Sequence, residues 1–434
     1  MKASRYNFFY RYKDDNSKYI AYNALSSSLA LIEEEKYEML KNFLELSKNI
    51  DDKSLLEDLE KGGYLIQDDF DELDYLRFNM FKARMDTSSL SLTIAPTSDC
   101  NFRCIYCYEK DAIKPCYITL ETELCIIKYI EKYAKTLSFL SVTWYGGEPL
   151  LAKDSIKRLS NEFHKICKEN NVIYVSDMVS NGYLFNDDSI AFLNESSITA
   201  LQITLDGNEN THNVRRPLLG GKPTFDKIIS NLEVLIESNC KVTIRINVDR
   251  SNMNEVNYIV DELENRKILE RVMVYLAKVE NINQTYKDSM CLSEREFEIL
   301  KNDFETRLIS KGIEIDSYRN YPISVTNTCG CDKVNSYVIN ADGSLYKCWD
   351  EMGREEACLG NINEIDLLED DRVKLSYISY DPTSDIRCKE CEYLPICMGG
   401  CHYNRISKKD RNCKEKYEKL EENLLMTVQQ LTSC

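Results

Sequence analysis

The chain has 434 residues, 43% hydrophobic and 29% charged, with 15 Gly and 8 Pro, the make-up of a globular protein of two or three domains. A net charge of −17 repels phosphate backbones and argues against nucleic acid as a partner. No apolar run approaches the roughly 20 residues of a membrane span. The opening "MKASRYNFFYRYKDDNSKYI" has no signal-peptide hydrophobic region, so a cytoplasmic location without membrane partners is expected.

Residues 1–82 begin with two β-like runs, "RYNFFYRYK" and "KYIAYNALSSSLALI", joined by the turn-forming Asp14-Asp15-Asn16. Helical stretches follow around "EEEKYEMLKNFLEL" and "SLLEDLEKGG", where Gly62-Gly63 signals a stop. "YLIQDDFDELDYLRFNMFKARM" predicts a short strand and a connecting helix. From residue 90 six short apolar runs alternate with amphipathic helical stretches such as "TLETELCIIKYIEKYAKTL". The runs are "SLTIAP", "LSVTWYGG", "VIYVSDMVSNG", "ITALQITLDG", "KVTIRINVD" and "RVMVYLAK". The alternation predicts an α/β fold with a parallel sheet, open or partly closed like a barrel fragment. In such folds the chemistry sits at the C-terminal ends of strands. Beyond residue 320 strands shorten, turns multiply ("NADGSLYK", "LPICMGGC") and cysteines crowd, which predicts a small metal-organised domain.

Of 18 cysteines, eleven stand in tight groups, three near residue 100 and eight between 329 and 413. In a reducing compartment such groups bind metal more readily than they form disulfides. Cys116, Cys125, Cys167, Cys240, Cys291, Cys358 and Cys434 are scattered and read as small buried residues. "CNFRCIYC" follows the first strand of the alternation, and its C-x3-C-x2-C spacing lets Cys100, Cys104 and Cys107 hold three corners of a 4Fe–4S cluster. The fourth iron is then open to a small molecule. A zinc site with a remote fourth ligand shares this spacing. Strand two ends in "WYGGEPL", where Gly146 and Gly147 permit close backbone approach and Glu148 can accept from an amine.

Together, "CNFRCIYC" and "GGEP" resemble the radical S-adenosylmethionine (SAM) enzymes. The resemblance implies a partial (β/α)6 TIM-like barrel over residues 83–320 and SAM as the ligand of the open iron. Reductive cleavage of SAM would give a 5′-deoxyadenosyl radical that removes hydrogen from a substrate, the electron coming from a donor such as flavodoxin or ferredoxin. Carried over by position, Gly146, Gly147 and Glu148 would hold the methionine amino group, and Tyr106 would lie near the adenine. Ser180, Asn181 and Arg215 stand where relatives hold ribose and carboxylate, while His212 reads as structural.

The C-terminal group, residues 321–434, resembles the SPASM domain, which carries two auxiliary 4Fe–4S clusters, making three in all. By that resemblance Cys348 and Cys401 serve the first with Cys329, Cys331 or both. Cys388, Cys391, Cys397 and Cys413 serve the second. The peptide-modifying maturases have small winged-helix-like domains that bind a leader as an added strand, and residues 1–82 are similar to them. A cap on the barrel is the other reading of that segment. Anaerobic sulfatase maturases carry an aspartate base directly after the cysteine of G-x4-C. Here that place is Trp349, and in an extended segment the next residue, Asp350, would face the other way. The expectation is therefore a maturase that binds a precursor peptide by its leader and installs a cross-link, foremost a Cys thioether. The alternatives are carbon–carbon cross-linking or epimerisation (with Cys291 or Cys358 as a hydrogen donor), sulfatase maturation, or a non-catalytic zinc-organised interaction module.

Overall fold

The computed structural model describes residues 1–46, 50, 52–110, 114–313, 321–364, 371–406, 413 and 417–432. Cys434 and residue 320, the expected end of the barrel segment, lie outside the described residues. Contacts divide the chain into two compact units: Met1–Met85 with Ile315–Asp332 and Ser379–Cys434, and Asp86–Glu314 with Lys333–Ile378.

In the first unit β1 (Lys2–Ala3) pairs with β5 (Leu65–Ile66), and β2 (Asn7–Arg11), β3 (Lys18–Asn23) and β4 (Ser28–Glu33) form an antiparallel meander. The second expected run is thus two strands. They are split by a turn in which Ser27 takes φ 59° without a glycine to announce it. Three helices follow the sequence pattern: α1 (Glu34–Leu46), α2 (Lys53–Lys61) and α3 (Glu72–Arg84). Asp52 caps α2 by accepting from Leu55 N, and Asp71 caps α3 by accepting from Leu73 N and Asp74 N, which satisfies donors that the first helical turn leaves free. β3 contributes to two cores. Ala21 packs with Leu40, Leu55, Leu59 and Leu65, whereas Ile20 and Tyr22 pack with Tyr6, Phe8, Leu394, Leu420 and Leu424. The N-terminal segment therefore shares an apolar core with residues from the C-terminal end.

The second unit is built on six parallel strands in chain order: β6 (Ser89–Ile94), β7 (Phe139–Trp144), β8 (Ile173–Ser180), β9 (Ile198–Thr204), β10 (Lys241–Val248) and β11 (Val272–Lys278). All six expected strands are present. Alternate residues of β6 and β7 are buried (Leu90, Leu92, Ile94; Leu140, Val142, Trp144), and the helix Lys153–Asn170 buries Ile156, Leu159, Phe163 and Ile166 at helical spacing. Past β6 the sheet is extended by β12 (Ser336–Ile339), parallel to it, and then by the antiparallel β13 (Ser344–Tyr346) and β14 (Gly360–Asn361). That pairing is why residues 333–378 belong to this unit. Among the described residues no helix is long and apolar enough to cross a membrane.

Candidate active site

The cysteine loop leaves the C-terminal end of β6 and is tied down on both sides. Leu219 N, Arg103 N and Ile105 N bond to Asn101 O, Pro217 O and Arg215 O at 2.7, 2.8 and 3.0 Å, so residues 101–105 run as a ribbon beside 215–219. The turn after β7 presses on the start of the loop. Gly147 N donates to Thr97 O at 3.2 Å and Glu148 N to Asp99 O at 2.9 Å. Gly146 has φ +107°, and a Cβ at Gly147 would stand 2.1 Å from Asp99 O, so this approach requires glycine.

Cys100, Cys104 and Cys107 open on one cavity of about 760 Å³ together with Tyr106, Gly146, Gly147, Ser180 and Asn181. Burial raises the Cys100 and Cys104 thiols and pushes Cys107 up to about 12, outweighing the opposing pull of Arg216 on Cys104 and Cys107. Among the described residues no three His, Cys, Asp or Glu are gathered closely enough to hold a single metal ion. Tyr106 is held rigidly, accepting from Arg216 Nη1 at 2.7 Å and Asn247 Nδ2 at 3.0 Å and donating to Asp206.

Two expected contacts differ. Glu148 is fully buried behind the cavity wall and accepts from Ser180 Oγ and Asn181 N at 2.8 Å and from Leu150 N at 3.1 Å. Burial raises its carboxyl to about 6. It fixes the end of β8 and does not line the cavity. Arg215 is committed to the core, donating to Asp206 at 3.3 Å, to Asp249 and Ser251 at 2.6 Å, and to Asn247 O at 3.1 Å. Its neighbour Arg216 lines the cavity, 7% exposed, and its Nε has no partner. A buried, unpartnered guanidinium nitrogen beside three thiols suits a ligand bearing a carboxylate and a cluster of thiolate-bound iron. His212 is fully buried, its Nδ1 accepts from Asp206 N at 3.1 Å, and burial with the two arginines holds it well below the usual range; its role is structural.

A second group of lining residues was partly missed in the sequence, which singled out Trp349 and Asp350 but not Tyr108, Glu109 or Tyr145. Tyr145 stacks on Trp349 at 5.2 Å between centroids, and its hydroxyl meets that of Tyr108 at 2.5 Å. Asp350 lines the same cavity. Residues Trp349–Glu351 form a 3-10 turn rather than an extended segment, so the expected reversal of Asp350 does not occur. Beside them burial raises Glu109 to about 7, and its Oε1 has no partner. Gln202, Arg245 and Asn247 also line the cavity. They were legible as polar residues punctuating the apolar runs of β9 and β10.

In the other unit, Cys388 and Cys391 share a turn (Cys391 N to Cys388 O, 3.0 Å). Burial raises the Cys391 thiol, and the Cys397 and Cys413 thiols add to it. Hydrogen bonds from Cys331 lower the Cys329 thiol to about 6 despite burial. Cys401 belongs to this unit, and Cys348 follows β13 in the other.

Residues 94–263 match the Radical SAM superfamily. The chain carries a radical SAM domain. It is thereby an enzyme, which removes the reading as a non-catalytic zinc module, and SAM with the family's iron–sulfur cluster are its cofactors. The radical SAM chain is 26% identical over 340 residues to a cysteine-type anaerobic sulfatase-maturating enzyme of Clostridium novyi (strain NT), covering 73% of this chain and 89% of that one. Its fold is similar to a solved structure of native anSMEcpe with bound AdoMet and Kp18Cys peptide, with a TM-score of 0.63 at 21% identity, covering 79% of this chain and 99% of that one. It is also similar to Streptococcus suis SuiB bound to precursor peptide SuiA, with a TM-score of 0.55 at 17% identity, covering 94% and 97%.

Proposed function

We propose that this radical SAM enzyme is a maturase of a ribosomally made precursor peptide, installing a cross-link, foremost a Cys thioether. The observation that carries this reading is the two-walled cavity. One wall has three thiols, the Gly146-Gly147 turn, Ser180, Asn181 and Arg216; the other is the aromatic and acidic surface of Tyr145, Trp349, Glu109 and Asp350. One wall suits a cofactor and the other leaves room for a substrate side chain.

Cys100, Cys104 and Cys107 hold the cluster, and SAM with that cluster supplies the 5′-deoxyadenosyl radical chemistry when bound. Gly146 and Gly147 offer close backbone approach, Ser180 and Asn181 polar contacts, and Arg216 a charge for the carboxylate. Tyr106 is pinned by its hydroxyl beside the thiols, and Tyr145 with Trp349 excludes water. The C-terminal cysteines hold auxiliary clusters, Cys388, Cys391, Cys397 and Cys413 the second of them. Residues 1–82 are the leader-binding segment, where an extended peptide adds to an edge of the β2–β4 sheet. The electron donor is a flavodoxin or ferredoxin.

Several observations support a peptide substrate. Similarity to SuiB extends over 94% of the chain, and both solved relatives named above hold peptides. A second reading, anaerobic sulfatase maturase, is favoured by Asp350, which the 3-10 turn brings to the cavity wall. Reconstituted enzyme given SAM and dithionite should be offered two probes: short peptides encoded beside its gene, and a synthetic Cys-containing sulfatase peptide. Tandem mass spectrometry showing a carbon–sulfur link in the former supports the proposal. Formylglycine in the latter, with the former untouched, replaces it by the second reading.

A further inference from the structure

The ribbon of residues 101–105 and 215–219, which carries Cys104 between Cys100 and Cys107, has an exposed apolar and cationic edge. Phe102 is 3% exposed, whereas its neighbours Arg103 and Ile105 are exposed at the rim of the cavity. Apolar side chains stand out around them: Val214 is 71% exposed, Leu219 63% and Ile105 40%. Gly220 and Gly221 take φ +93° and +81°, with nothing within 4 Å of where a Cβ would stand on either, and they turn the chain so that Leu219 and Lys222 project. The segments 101–108 and 213–223 contain no Asp or Glu, although the chain carries −17, and Arg103 and Lys222 are their exposed cations.

We propose that this ribbon is the docking surface for an acidic one-electron carrier protein that reduces the cluster of Cys100, Cys104 and Cys107. The proposal rests on those three cysteines holding the cluster. Exposed apolar residues ringed by charge are the usual make-up of a transient interface. Elsewhere the negative field of this chain repels an acidic partner; here Arg103 and Lys222 attract it. Ile105 is bonded directly to Cys104, so a partner seated on the ribbon comes within one residue of a ligand thiol. One electron leaves the carrier, whose flavin hydroquinone becomes a semiquinone, and the cluster gains that electron; no bond is made or broken in the chain.

The test uses the full chain with reconstituted clusters and photoreduced flavodoxin as probe. Affinity is read by calorimetry at two ionic strengths and electron transfer by bleaching of the cluster absorbance, with dithionite as the chemical comparison. Lys222→Glu and Leu219→Glu should each weaken flavodoxin binding and slow bleaching by about tenfold or more. Iron content and dithionite reduction should not change. Equal affinity and equal bleaching in wild type and both variants would overturn the proposal. So would a dimer that Leu219→Glu dissociates in sedimentation while flavodoxin reduction is unchanged, because the occupant would then be a second copy. Wild type that dithionite also fails to reduce would overturn the cluster assignment itself, a failure distinct from one confined to flavodoxin.

Discussion

Gly147→Ala probes the fit between the turn after β7 and the cysteine loop. The added Cβ would stand 2.1 Å from Asp99 O and 2.5 Å from Asp99 C. Real Cβ contacts essentially never fall under 3.0 Å, so the two segments must part by at least 3.0 − 2.1 = 0.9 Å. Both sides are backbone, and neither can swing aside as a side chain would. The same movement weakens the bonds from Gly147 N to Thr97 O and from Glu148 N to Asp99 O, at 3.2 and 2.9 Å. Overpacking costs about 1–3 kcal/mol and a weakened hydrogen bond about 1, so a loss of about 2–4 kcal/mol is expected. Because Cys100 follows Asp99 directly, the displacement also misplaces a cluster ligand. Gly220→Ala is the comparison. It has φ +93° but nothing within 4 Å, so it bears only the left-handed strain of about 1–2 kcal/mol. Urea unfolding of the cluster-free proteins gives the stabilities, and iron per chain after reconstitution gives the site. Gly147→Ala should lose about four of roughly twelve irons while Gly220→Ala keeps them all. A Gly147→Ala protein with wild-type midpoint and full iron would refute the reasoning.

Arg215→Ala leaves the fully buried Asp206 and Asp249 without their shared cation, and urea unfolding should show a loss of about 3–5 kcal/mol. Arg216→Ala spares that pair, and calorimetry should instead find weaker SAM binding. At the turn after Trp349, burial with Asp350 and Glu356 raises the Glu351 carboxyl to about 7 against the pull of Arg354. The folded chain therefore keeps this proton to higher pH than the unfolded chain does, and stability falls as pH rises from about 4.5 to 7, by about 3 kcal/mol at most. Glu351→Gln, which can still accept from Tyr377, should flatten that slope in denaturation measured across the interval. The triple Ala variant of Cys100, Cys104 and Cys107 should make no 5′-deoxyadenosine while retaining about eight of roughly twelve irons.

The sheet was legible because each strand is a short β-branched run closed by a turn, and the site because strand ends are where loops can hold chemistry. What the sequence concealed was set by longer range or by one residue. Arg215 and Arg216 are adjacent and alike; only the buried carboxylates of Asp206 and Asp249 decide that the first faces the core. Asp350 was misread because an extended segment was assumed where backbone bonds from Glu351 N to Cys348 O and Met352 N to Trp349 O close a turn. The packing of Tyr6 and Phe8 with Leu394 and Leu424 joins residues nearly the whole chain apart, which no local pattern records.

The most direct test is on protein purified without oxygen: iron, sulfide and zinc per chain, with SAM cleavage assayed after dithionite reduction. Roughly twelve irons with 5′-deoxyadenosine production are expected of three cubane clusters. Zinc in place of iron, with no cleavage of SAM, would contradict the assignment of Cys100, Cys104 and Cys107 and the radical chemistry built on them.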